Sequence, residues 1–359
     1  MENNDHAISF KYFDVGTGDA IWVRFFGNDQ QWHNILIDGG YGYAYKMAFG
    51  PLIKSIIKEG ECIDLWLISH IDDDHIGATT GFIADKRIID KPAAVRKFWY
   101  NHSPLLIKEG NGKLAVRRGV LLRDFLKPYG LLAETPIMGE AGILDLSGLK
   151  IKALTPTENK LRAAEELWQV EEKGGKLGRT SAQSDYQQTI ETLKLKSFSE
   201  DTDAVNGSSI SCLVTYHNLN FLLLADSHPG DVVTALRNLG YSEKFPLSAE
   251  FVQLAHHGSK ANTSPELLQL INTSQYVVTG NGEANAHPDK ETLARVLTNE
   301  SPSDEMISFV FPYHTKPLTK LFDVDHDAEE TYNFKCEFPR SANEPLSLDY
   351  LPFESLTDE

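Results

Sequence analysis

The strongest constraint on this fold is a cluster of histidine and aspartate side chains at residues 69–75. The segment reads Ser-His-Ile-Asp-Asp-Asp-His, so two imidazoles and three carboxylates stand side by side. Such a cluster repels itself and is costly to bury unless a cation lies among the side chains. Neutral imidazole and carboxylate are ready ligands for a divalent metal ion. The cluster therefore predicts a metal site.

The flanking segments predict where this cluster lies in the fold. Residues 62–68 are mainly apolar and predict a buried strand, and residues 76–83 could open a helix. The acidic residues would then lie on a strand-to-helix loop, where carboxylates benefit from the helix dipole. A solvated acidic turn with incidental histidines is the alternative.

Length and composition limit the classes of protein to which this chain can belong. The 359 residues can bury a large core in one domain or two, and no apolar run approaches the roughly 20 residues that cross a bilayer. The N-terminus lacks the pattern of a signal peptide. Cys62, Cys212 and Cys336 are widely spaced and odd in number, which predicts reduced thiols in a cytoplasmic protein.

The net charge of -17 argues against a simple nucleic-acid binder, because such proteins usually carry a basic excess. Either the substrate is small, or a polyanion is held by metal ions and a local basic patch, or a protein partner delivers it. The most basic window favours a solvated helix face over a phosphate-binding surface. It contains Lys108, Lys113, Arg117, Arg118, Arg123 and Lys127.

Several further polar residues follow apolar segments that predict strands. Asp38 ends the strand at 34–37, Asp226 follows 220–225, and the pair His256 and His257 follows 251–255. His287 lies in the loop after the strand at 275–279. Because ligands at successive strand ends on one edge of a sheet converge, this order predicts a distributed metal site.

The remaining segments predict the domain organisation. We expect a catalytic domain over residues 1–312 and a C-terminal extension over 313–359, whose acidic tail from residue 349 should be loosely held. Residues 157–205 are polar and charged with helical spacing and a Gly-Gly break. They predict a helical insertion or a flexible excursion that could cover the site.

Taken in order, these motifs resemble the metallo-β-lactamase superfamily, and more narrowly the soluble nuclease domain of ComEC-type competence (DNA-internalisation) proteins. The resemblance covers roughly residues 8–300 apart from the insertion. It rests on Asp-Val-Gly-Thr-Gly-Asp-Ala at 14–20, Leu-Ile-Asp-Gly-Gly at 36–40, the cluster at 69–77, Asn-Gly-Ser-Ser at 206–209, Leu-Ala-Asp at 224–226, His-His-Gly-Ser at 256–259 and His-Pro at 287–288.

The resemblance implies an α/β fold of the αββα sandwich type, with two mixed β-sheets, outer helices and a two-metal site along one edge. His70 and Asp72 would hold one ion and Asp74 and His75 the other, with Asp226 bridging them. One of His256 and His257 would complete the second ion's site, and the sequence does not say which.

Two departures from the superfamily pattern affect the metal ions. Asn206 and Ser209 stand where many members have a metal-binding histidine, so water or substrate would complete the first ion's shell. His217, in a turn at the far end of its strands, is a weak alternative. Asp72 replaces a second histidine of the usual motif, and this oxygen ligand makes Mn²⁺ a rival to Zn²⁺. Two divalent ions, Zn²⁺ or Mn²⁺, are therefore expected.

Two cations about 3.5–4 Å apart can activate a bridging hydroxide and clamp a phosphoryl oxygen. Asp74 or Asp226 could orient the hydroxide, and His287 could donate a proton to the leaving group or hold a phosphate oxygen. A plain loop residue is the alternative for His287. The side chains expected to contact the scissile phosphate are Asn206, Ser209, Ser259 and Asn281.

Three functions remain open from the sequence, because this fold hosts many reactions. The favoured one is a phosphodiesterase or nuclease that cleaves DNA or RNA. The second is a hydrolase of a small substrate, such as a cyclic nucleotide, a phosphocholine ester or a lactone. The third, a non-catalytic module, is disfavoured because structural zinc sites are usually closed and mononuclear. No membrane partner is expected, and the oligomeric state stays open, as does the choice between competence, defence and repair.

Overall fold

The computed structural model describes residues 7–102, 114–172, 184–283, 286–299, 305–341 and 344–352. The strands are β1 (Ile8–Tyr12), β2 (Ala20–Phe26), β3 (Trp32–Asp38), β4 (Leu65–Ile68), β5 (Phe98–Tyr100), β6 (Ile143–Leu146), β7 (Leu149–Ala153), β8 (Cys212–Tyr216), β9 (Leu219–Leu223), β10 (Leu247–Ser248), β11 (Phe251–Gln253), β12 (Ile271–Asn272), β13 (Gln275–Val277), β14 (Ile307–Val310), β15 (Phe334–Glu337) and β16 (Leu346–Tyr350).

The α-helices in the same described ranges are α1 (Gly50–Lys58), α2 (Asp73–Ala84), α3 (Lys91–Ala94), α4 (Leu114–Leu126), α5 (Glu158–Glu172), α6 (Ile190–Leu193), α7 (Ala204–Gly207), α8 (Pro229–Asn238), α9 (Pro265–Gln269), α10 (Lys290–Leu297) and α11 (Ala328–Thr331). A π-helical turn (Tyr45–Phe49) precedes α1. Short 3-10 turns occur at Lys127–Tyr129, Gly139–Gly142, Ala255–Gly258 and Leu318–Lys320.

The strands form two large mixed sheets. The first has the order β16-β1-β2-β3-β4-β5, with β3, β4 and β5 parallel and the other neighbours antiparallel. The second has the order β15-β14-β13-β11-β9-β8-β7-β6, with β9 to β15 parallel. The short strands β10 and β12 make a separate parallel pair.

Apolar side chains from both sheets meet in a central core. Phe10 of β1 lies 4.6 Å from Phe221 of β9 and 5.0 Å from Phe251 of β11, measured between ring centres. A second core packs α1, α2 and α4 on the outer face of the first sheet, and a third packs α8, α9 and α10 on the outer face of the second. The architecture is therefore an αββα sandwich, which confirms the fold class predicted from the sequence.

The C-terminal segment contributes to both sheets. Strand β15 pairs with β14, and β16 pairs with β1, so that Ser9 lies opposite Asp349 and Ile8 opposite Tyr350. The prediction of a loosely held segment from residue 349 is wrong for these two residues. The alternating side chains of Leu346, Leu348 and Tyr350 pack on the central core. This alternation indicates a strand, which the prediction of a loosely held tail did not include. Residues 353–359 lie outside the described residues.

The insertion at 157–205 contains α5, α6 and the first part of α7 in its described portion. Asp203 caps α7 by accepting a hydrogen bond from the backbone N–H of Val205. Strand β8 follows this short helix and starts at Cys212. The Gly-Gly break at 174–175 lies outside the described residues, and the division at residue 312 stays a prediction. Across the described helices, none combines the length and apolar character of a membrane span.

Candidate metal centre

The predicted convergence of strand ends occurs at one edge of the sandwich. Strands β3 and β4 of the first sheet end there, as do β9, β11 and β13 of the second. The backbone N–H of Ile210 donates to the carbonyl of Ser69 over 2.9 Å and joins the two sheets at this edge. His217 lies in the turn between β8 and β9, at their opposite end.

The histidine–aspartate cluster lies only partly on a loop. Helix α2 begins at Asp73, so Asp73, Asp74 and His75 occupy its first turn, where carboxylates favour the helix N-terminus. The carbonyl of Asp72 accepts the backbone N–H of His75 over 2.9 Å. The prediction that the whole cluster sits on a loop is therefore corrected. The helical turn aims His75 and Asp74 into the protein.

Asp226 stands at the centre of the cluster and is buried. Its Oδ1 lies 3.4 Å from His75 Nε2 and 3.8 Å from His257 Nε2. Its Oδ2 lies 3.7 Å from both His70 Nε2 and His256 Nε2. Asp74 lies on the same side of Asp226 as His257, because its Oδ2 is 3.5 Å from His257 Nε2. Each oxygen of one carboxylate thus faces its own pair of imidazole nitrogens.

These separations fit ligands of metal ions better than hydrogen bonds. Donor and acceptor atoms of an N–H···O bond lie about 2.7–3.2 Å apart. Two ligands about 2.1 Å from one tetrahedral cation lie about 3.4 Å apart. In the described part of the chain, no hydrogen-bond partner is found for His70 Nε2, His75 Nε2, His257 Nε2 or Asp226 Oδ1, all buried. Buried polar atoms without partners are costly, so a cation fits this cluster.

The two adjacent histidines reach the centre because of an unusual backbone. His256 and His257 both have positive φ angles, 48° and 57°, and Gly258 follows at 87°. Ala225, just before Asp226, is also left-handed, at 46°. Left-handed conformations cost a non-glycine residue about 1–3 kcal/mol, and such strain concentrates at functional sites. The turn directs both imidazoles to Asp226, which strand alternation alone could not predict.

Buried carboxylates and hydroxyls orient the imidazoles of His75 and His257 from behind. His75 Nδ1 lies 2.8 Å from Asp38 Oδ2, and Asp38 also accepts the backbone N–H and the hydroxyl of Ser69, each over 2.7 Å. His257 Nδ1 lies 3.1 Å from Thr279 Oγ1 and 3.6 Å from Asp19 Oδ1. Such contacts fix the ring so that Nε2 points to a metal ion.

His256 is held by Asn262 and Asp201, whose roles no motif in the sequence indicates. Its Nδ1 lies 3.1 Å from Asn262 Oδ1 and 3.7 Å from Asp201 Oδ2. Asp201 also accepts the side-chain amides of Asn206 and Asn262, over 2.8 and 3.1 Å. Asp201 belongs to the insertion, far from His256 in the chain, and no spacing in the sequence signals their contact.

Electrostatics at this cluster favour positive charge. Burial alone would lower the pKa of His75, but Asp226 and Asp38 outweigh it and hold the pKa well above the usual value. Burial is likewise outweighed at His257, mainly by Asp226, and its pKa is about 10. Burial would raise the pKa of Asp226, but His75, His256 and His257 hold it well below normal. An electrostatic potential that favours protonated imidazoles also favours a metal cation bound in place of those protons.

The other predicted metal and catalytic residues lie around this cluster. Asp72 directly precedes α2, and its charge opposes the lowering of the His70 pKa, which comes mainly from burial and then from His75. The ring of His287 lies 5.0 Å from that of His256, and its Nδ1 lies 3.4 Å from Asp289 Oδ2. Burial lowers the pKa of His287, an effect that Asp289 opposes and His256 reinforces.

The four predicted substrate contacts are all buried, and their fixed partners differ. Asn206 donates its amide to Asp201, and Asn281 Oδ1 accepts the backbone N–H of Glu283 over 2.8 Å. Ser259 Oγ accepts the backbone N–H of Ala261 over 3.2 Å, which leaves its hydroxyl hydrogen to donate. Within the described residues, Ser209 Oγ has no hydrogen-bond partner. Their contact with substrate stays a prediction.

The basic window divides into paired and exposed side chains. Arg118 donates to the Asp73 carboxylate over 2.9 Å, and Arg123 pairs with Asp124 at the same distance. Arg117 and Lys127 are exposed, as a solvated helix face requires. Lys108 and Lys113 lie outside the described residues.

Comparison with known proteins gives weak likenesses. No family model matches the chain, and no curated protein matches it. Among solved structures, it is similar to a metallo-β-lactamase from Hirschia baltica, at 12% identity over 68% of this chain and 84% of that chain, with a TM-score of 0.29. It is also similar to a long form RNase Z from yeast, at 9% identity over 98% of this chain and 48% of that chain, with a TM-score of 0.40. Likenesses at these TM-scores assign no function to this chain.

Proposed function

We propose that this chain is a metal-dependent hydrolase of the metallo-β-lactamase superfamily that cleaves phosphodiester bonds in DNA or RNA. The observation that carries the proposal is the position of Asp226, whose two oxygens each face two imidazole nitrogens at 3.4–3.8 Å. A carboxylate in this position can bridge two cations. The motifs that resemble ComEC-type nuclease domains support nucleic acid as the substrate.

The proposed ligands divide between the two oxygens of Asp226. Two divalent ions, Mn²⁺ or Zn²⁺, would supply an activated water and neutralise charge on the phosphoryl oxygens. Asp226 Oδ2 belongs to the first centre and Oδ1 to the second. The first ion would be held by His70, His256, Asp226 and, by the sequence resemblance, Asp72. The second would be held by Asp74, His75, His257 and Asp226.

This assignment gives both members of the histidine pair a role. His257 would complete the second centre beside Asp74, and His256 would supply the first centre with the imidazole that Asn206 and Ser209 do not provide. Asn206 instead lies behind His256, through its hydrogen bond to Asp201. The first centre is therefore built with a histidine from a different strand end than in the usual superfamily pattern.

The side chains at the mouth of the site would act on substrate and water. Asp74, whose side chain is 14% exposed, would orient the attacking water. His287 Nδ1 lies 3.4 Å from Asp289 Oδ2, and Nε2 would be the ring atom for proton exchange with the leaving oxygen. Ser259 can donate its hydroxyl hydrogen to a phosphate oxygen.

The small-substrate hydrolase remains a second candidate because of the net charge of -17. Long polyanions are repelled by such a surface, whereas a small diester meets mainly the metal ions. A protein partner that delivers nucleic acid would reconcile the charge with a nuclease. That partner, like a cytoplasmic location, stays a prediction.

The test compares two substrates on one preparation. The protein is purified metal-free, reloaded with Mn²⁺ or Zn²⁺, and assayed on single-stranded DNA and on bis-p-nitrophenyl phosphate, with Asp74→Ala in parallel. We expect both substrates to be cleaved only by the metal-loaded wild type. Cleavage of the small diester alone would support the second candidate. Equal rates with and without metal, or full activity of Asp74→Ala, would rule out the metal-dependent mechanism.

A further inference from the structure

We propose that the insertion at 157–205 positions His287, through a short segment that we call the clasp. The clasp comprises residues 184–193 and includes α6. Its Asp185 and Tyr186 are buried, and both form hydrogen bonds to the chain just after His287. This inference rests on the proposed function and deepens it. It makes Asp185 and Tyr186 positioning residues, because they act on His287 through the backbone.

Tyr186 holds the residue that follows His287. Its hydroxyl donates to the carbonyl of Pro288 over 3.0 Å. The side chain is buried in the core that packs the outer helices on the second sheet. Its hydroxyl also lies close to the start of the loop, because a Cβ added at Gly282 would meet the hydroxyl oxygen at 3.2 Å. A buried tyrosine hydroxyl normally finds a partner, and here that partner belongs to the loop beside the metal centre.

Asp185 holds the residues at the start of α10. This helix begins at Lys290, and the first backbone N–H groups of a helix have no partners within it. Asp185 Oδ1 accepts the N–H of Lys290 over 2.8 Å, and Oδ2 accepts the N–H of Glu291 over 2.9 Å. A side chain 105 residues earlier in the chain therefore caps this helix.

This cap leaves the Asp289 carboxylate beside His287. Asp289 is the N-cap residue of α10, where an aspartate side chain usually accepts the first N–H groups itself. Within the residues that the structure describes, the Asp289 side chain makes no such bond. Its Oδ2 instead accepts the backbone N–H of Lys260 over 2.9 Å and lies 3.4 Å from His287 Nδ1. The clasp thus holds the residues on both sides of Asp289.

The clasp is itself anchored to α10 and to the C-terminal segment. Ile190 and Leu193 of α6 are buried in the same core as Tyr186. The backbone N–H of Ile190 donates to Asp325 Oδ1 over 2.8 Å. Asp325 Oδ2 pairs with the ammonium of Lys290, which is buried. One carboxylate therefore joins the clasp to the first residue of α10, so the clasp and the His287 loop are held as a unit.

A fixed loop matters for the step assigned to His287. In that step the oxygen of the attacking water bonds to phosphorus, the bond to the leaving oxygen breaks, and His287 Nε2 gives its proton to that oxygen. The attacking water releases its proton to solvent, and solvent restores the proton on His287. A proton donor must lie within hydrogen-bond reach of the oxygen, and a displacement of about 1 Å can cost about 100-fold in rate. The clasp should therefore matter most for substrates whose leaving group needs a proton.

The experiment compares two diesters of similar shape in Tyr186→Phe. Bis-p-nitrophenyl phosphate releases p-nitrophenolate, which leaves readily without a proton, whereas diphenyl phosphate releases the more basic phenolate. The matched control is Tyr216→Phe, because Tyr216 is also buried and its hydroxyl donates to a backbone carbonyl, that of Phe26, over 2.6 Å. Tyr216 lies at the end of β8 away from the metal centre. His287→Gln, alone and combined with Tyr186→Phe, shows whether the effect passes through His287.

We expect Tyr186→Phe to lower the ratio of kcat/KM for diphenyl phosphate to kcat/KM for bis-p-nitrophenyl phosphate by about tenfold. Tyr216→Phe should keep the wild-type ratio. In a His287→Gln background, Tyr186→Phe should lower the ratio no further. A wild-type ratio in Tyr186→Phe would overturn the proposal. A drop of the same size in Tyr216→Phe, or in the His287→Gln background, would overturn it as well.

Hydrogen–deuterium exchange on the metal-free protein tests the clasp without turnover. Asp185→Ala leaves the N–H groups of Lys290 and Glu291 without their acceptor, so a peptide over residues 286–292 should exchange about tenfold faster, as the loss of a cap implies. A peptide that covers β9 serves as the internal reference and should be unchanged. Unchanged exchange over 286–292 in both Asp185→Ala and Tyr186→Phe would contradict the clasp.

The failure of the proposed function gives a different result from the failure of the clasp. If no protein cleaves either diester with metal, the hydrolase proposal fails, and the exchange measurement still decides whether the clasp holds the loop. If the wild type cleaves both diesters and Tyr186→Phe keeps the ratio, the positioning proposal is wrong and the hydrolase stands.

Discussion

The two ends of strand β3 carry histidine–aspartate clusters that consist of the same residue types and differ in the spacing of their atoms. At its start, His33 Nδ1 lies 3.2 Å from Asp64 and Nε2 lies 3.1 Å from Asp29, so both ring nitrogens are hydrogen-bonded. At its end, Asp38 orients His75, whose Nε2 faces Asp226 at 3.4 Å without a hydrogen bond. The spacing of the atoms, rather than the types of residue, distinguishes the metal centre.

The comparison also separates two ways of stabilising buried charge. At His33, the hydrogen bond to Asp64 chiefly raises the pKa against burial, so a proton on the ring completes the cluster. At the metal centre, four imidazole Nε2 atoms surround one carboxylate, and protons alone leave several of these atoms without acceptors at hydrogen-bond distance. The first cluster is therefore complete within the protein, and the second has the spacing and the unpaired nitrogen atoms that fit bound cations.

The largest expected effect is the loss of hydrolysis on removing charge from Asp226. Asp226→Asn takes away the anionic bridge, so we expect kcat/KM for bis-p-nitrophenyl phosphate to fall by about a thousandfold or more. His33→Gln, at the other end of β3, should stay within about twofold of wild type. A steady-state assay at saturating Mn²⁺ compares the two. Similar losses in both variants would mean that Asp226 has only a structural role.

Removal of metal ions should lower the stability of the protein only when the cluster around Asp226 is intact. Because the ions bind the folded chain, metal at about 100 times its dissociation constant should stabilise the wild type by about 2.7 kcal/mol per site. Calorimetry with and without EDTA measures the shift in Tm. His33→Gln should keep this shift, whereas Asp226→Asn should lose most of it. A metal-independent Tm in the wild type would remove the distinction between the clusters.

A smaller effect is expected from the residues behind His256. Asp201→Ala removes the acceptor that holds Asn206 and Asn262, so His256 loses its fixed orientation. Changes to such supporting residues typically weaken metal binding by about 10- to 100-fold. Competition with a fluorescent chelator should show one weakened site and one unchanged site. Equal weakening of both sites would contradict the assignment of His256 to the first centre alone.

The smallest effect is a pH-dependent contribution of His33 to stability. The folded pKa is raised, so the stabilisation is fully present below the unfolded pKa of about 6.5 and is lost as pH rises through the folded value. His33→Gln should therefore destabilise the protein by about 1 kcal/mol more at pH 5.5 than at pH 9. Urea unfolding at the two pH values measures this difference, and the opposite sign would show that His33 is held neutral.

The sequence was sufficient to predict that Asp226 and the histidine pair lie close together, because they follow β9 and β11, which are parallel neighbours in one sheet. That β4 of the other sheet ends at the same edge depends on how the two sheets pack, which the order of strands alone does not determine. The sequence could not assign His256 and His257, since their directions depend on left-handed backbone angles rather than on strand alternation. Asp201 and Asn262 were missed because they touch His256 only through tertiary structure.

The central claim is that Asp226 bridges two cations, and metal counting tests it most directly. Each protein is incubated with Mn²⁺ or Zn²⁺, freed of excess metal, and measured by inductively coupled plasma mass spectrometry. The account predicts two ions per chain in the wild type and in His33→Gln, and no more than one in Asp226→Asn. A wild type that binds fewer than two ions, or an Asp226→Asn variant that still binds two with unchanged affinity, would contradict it.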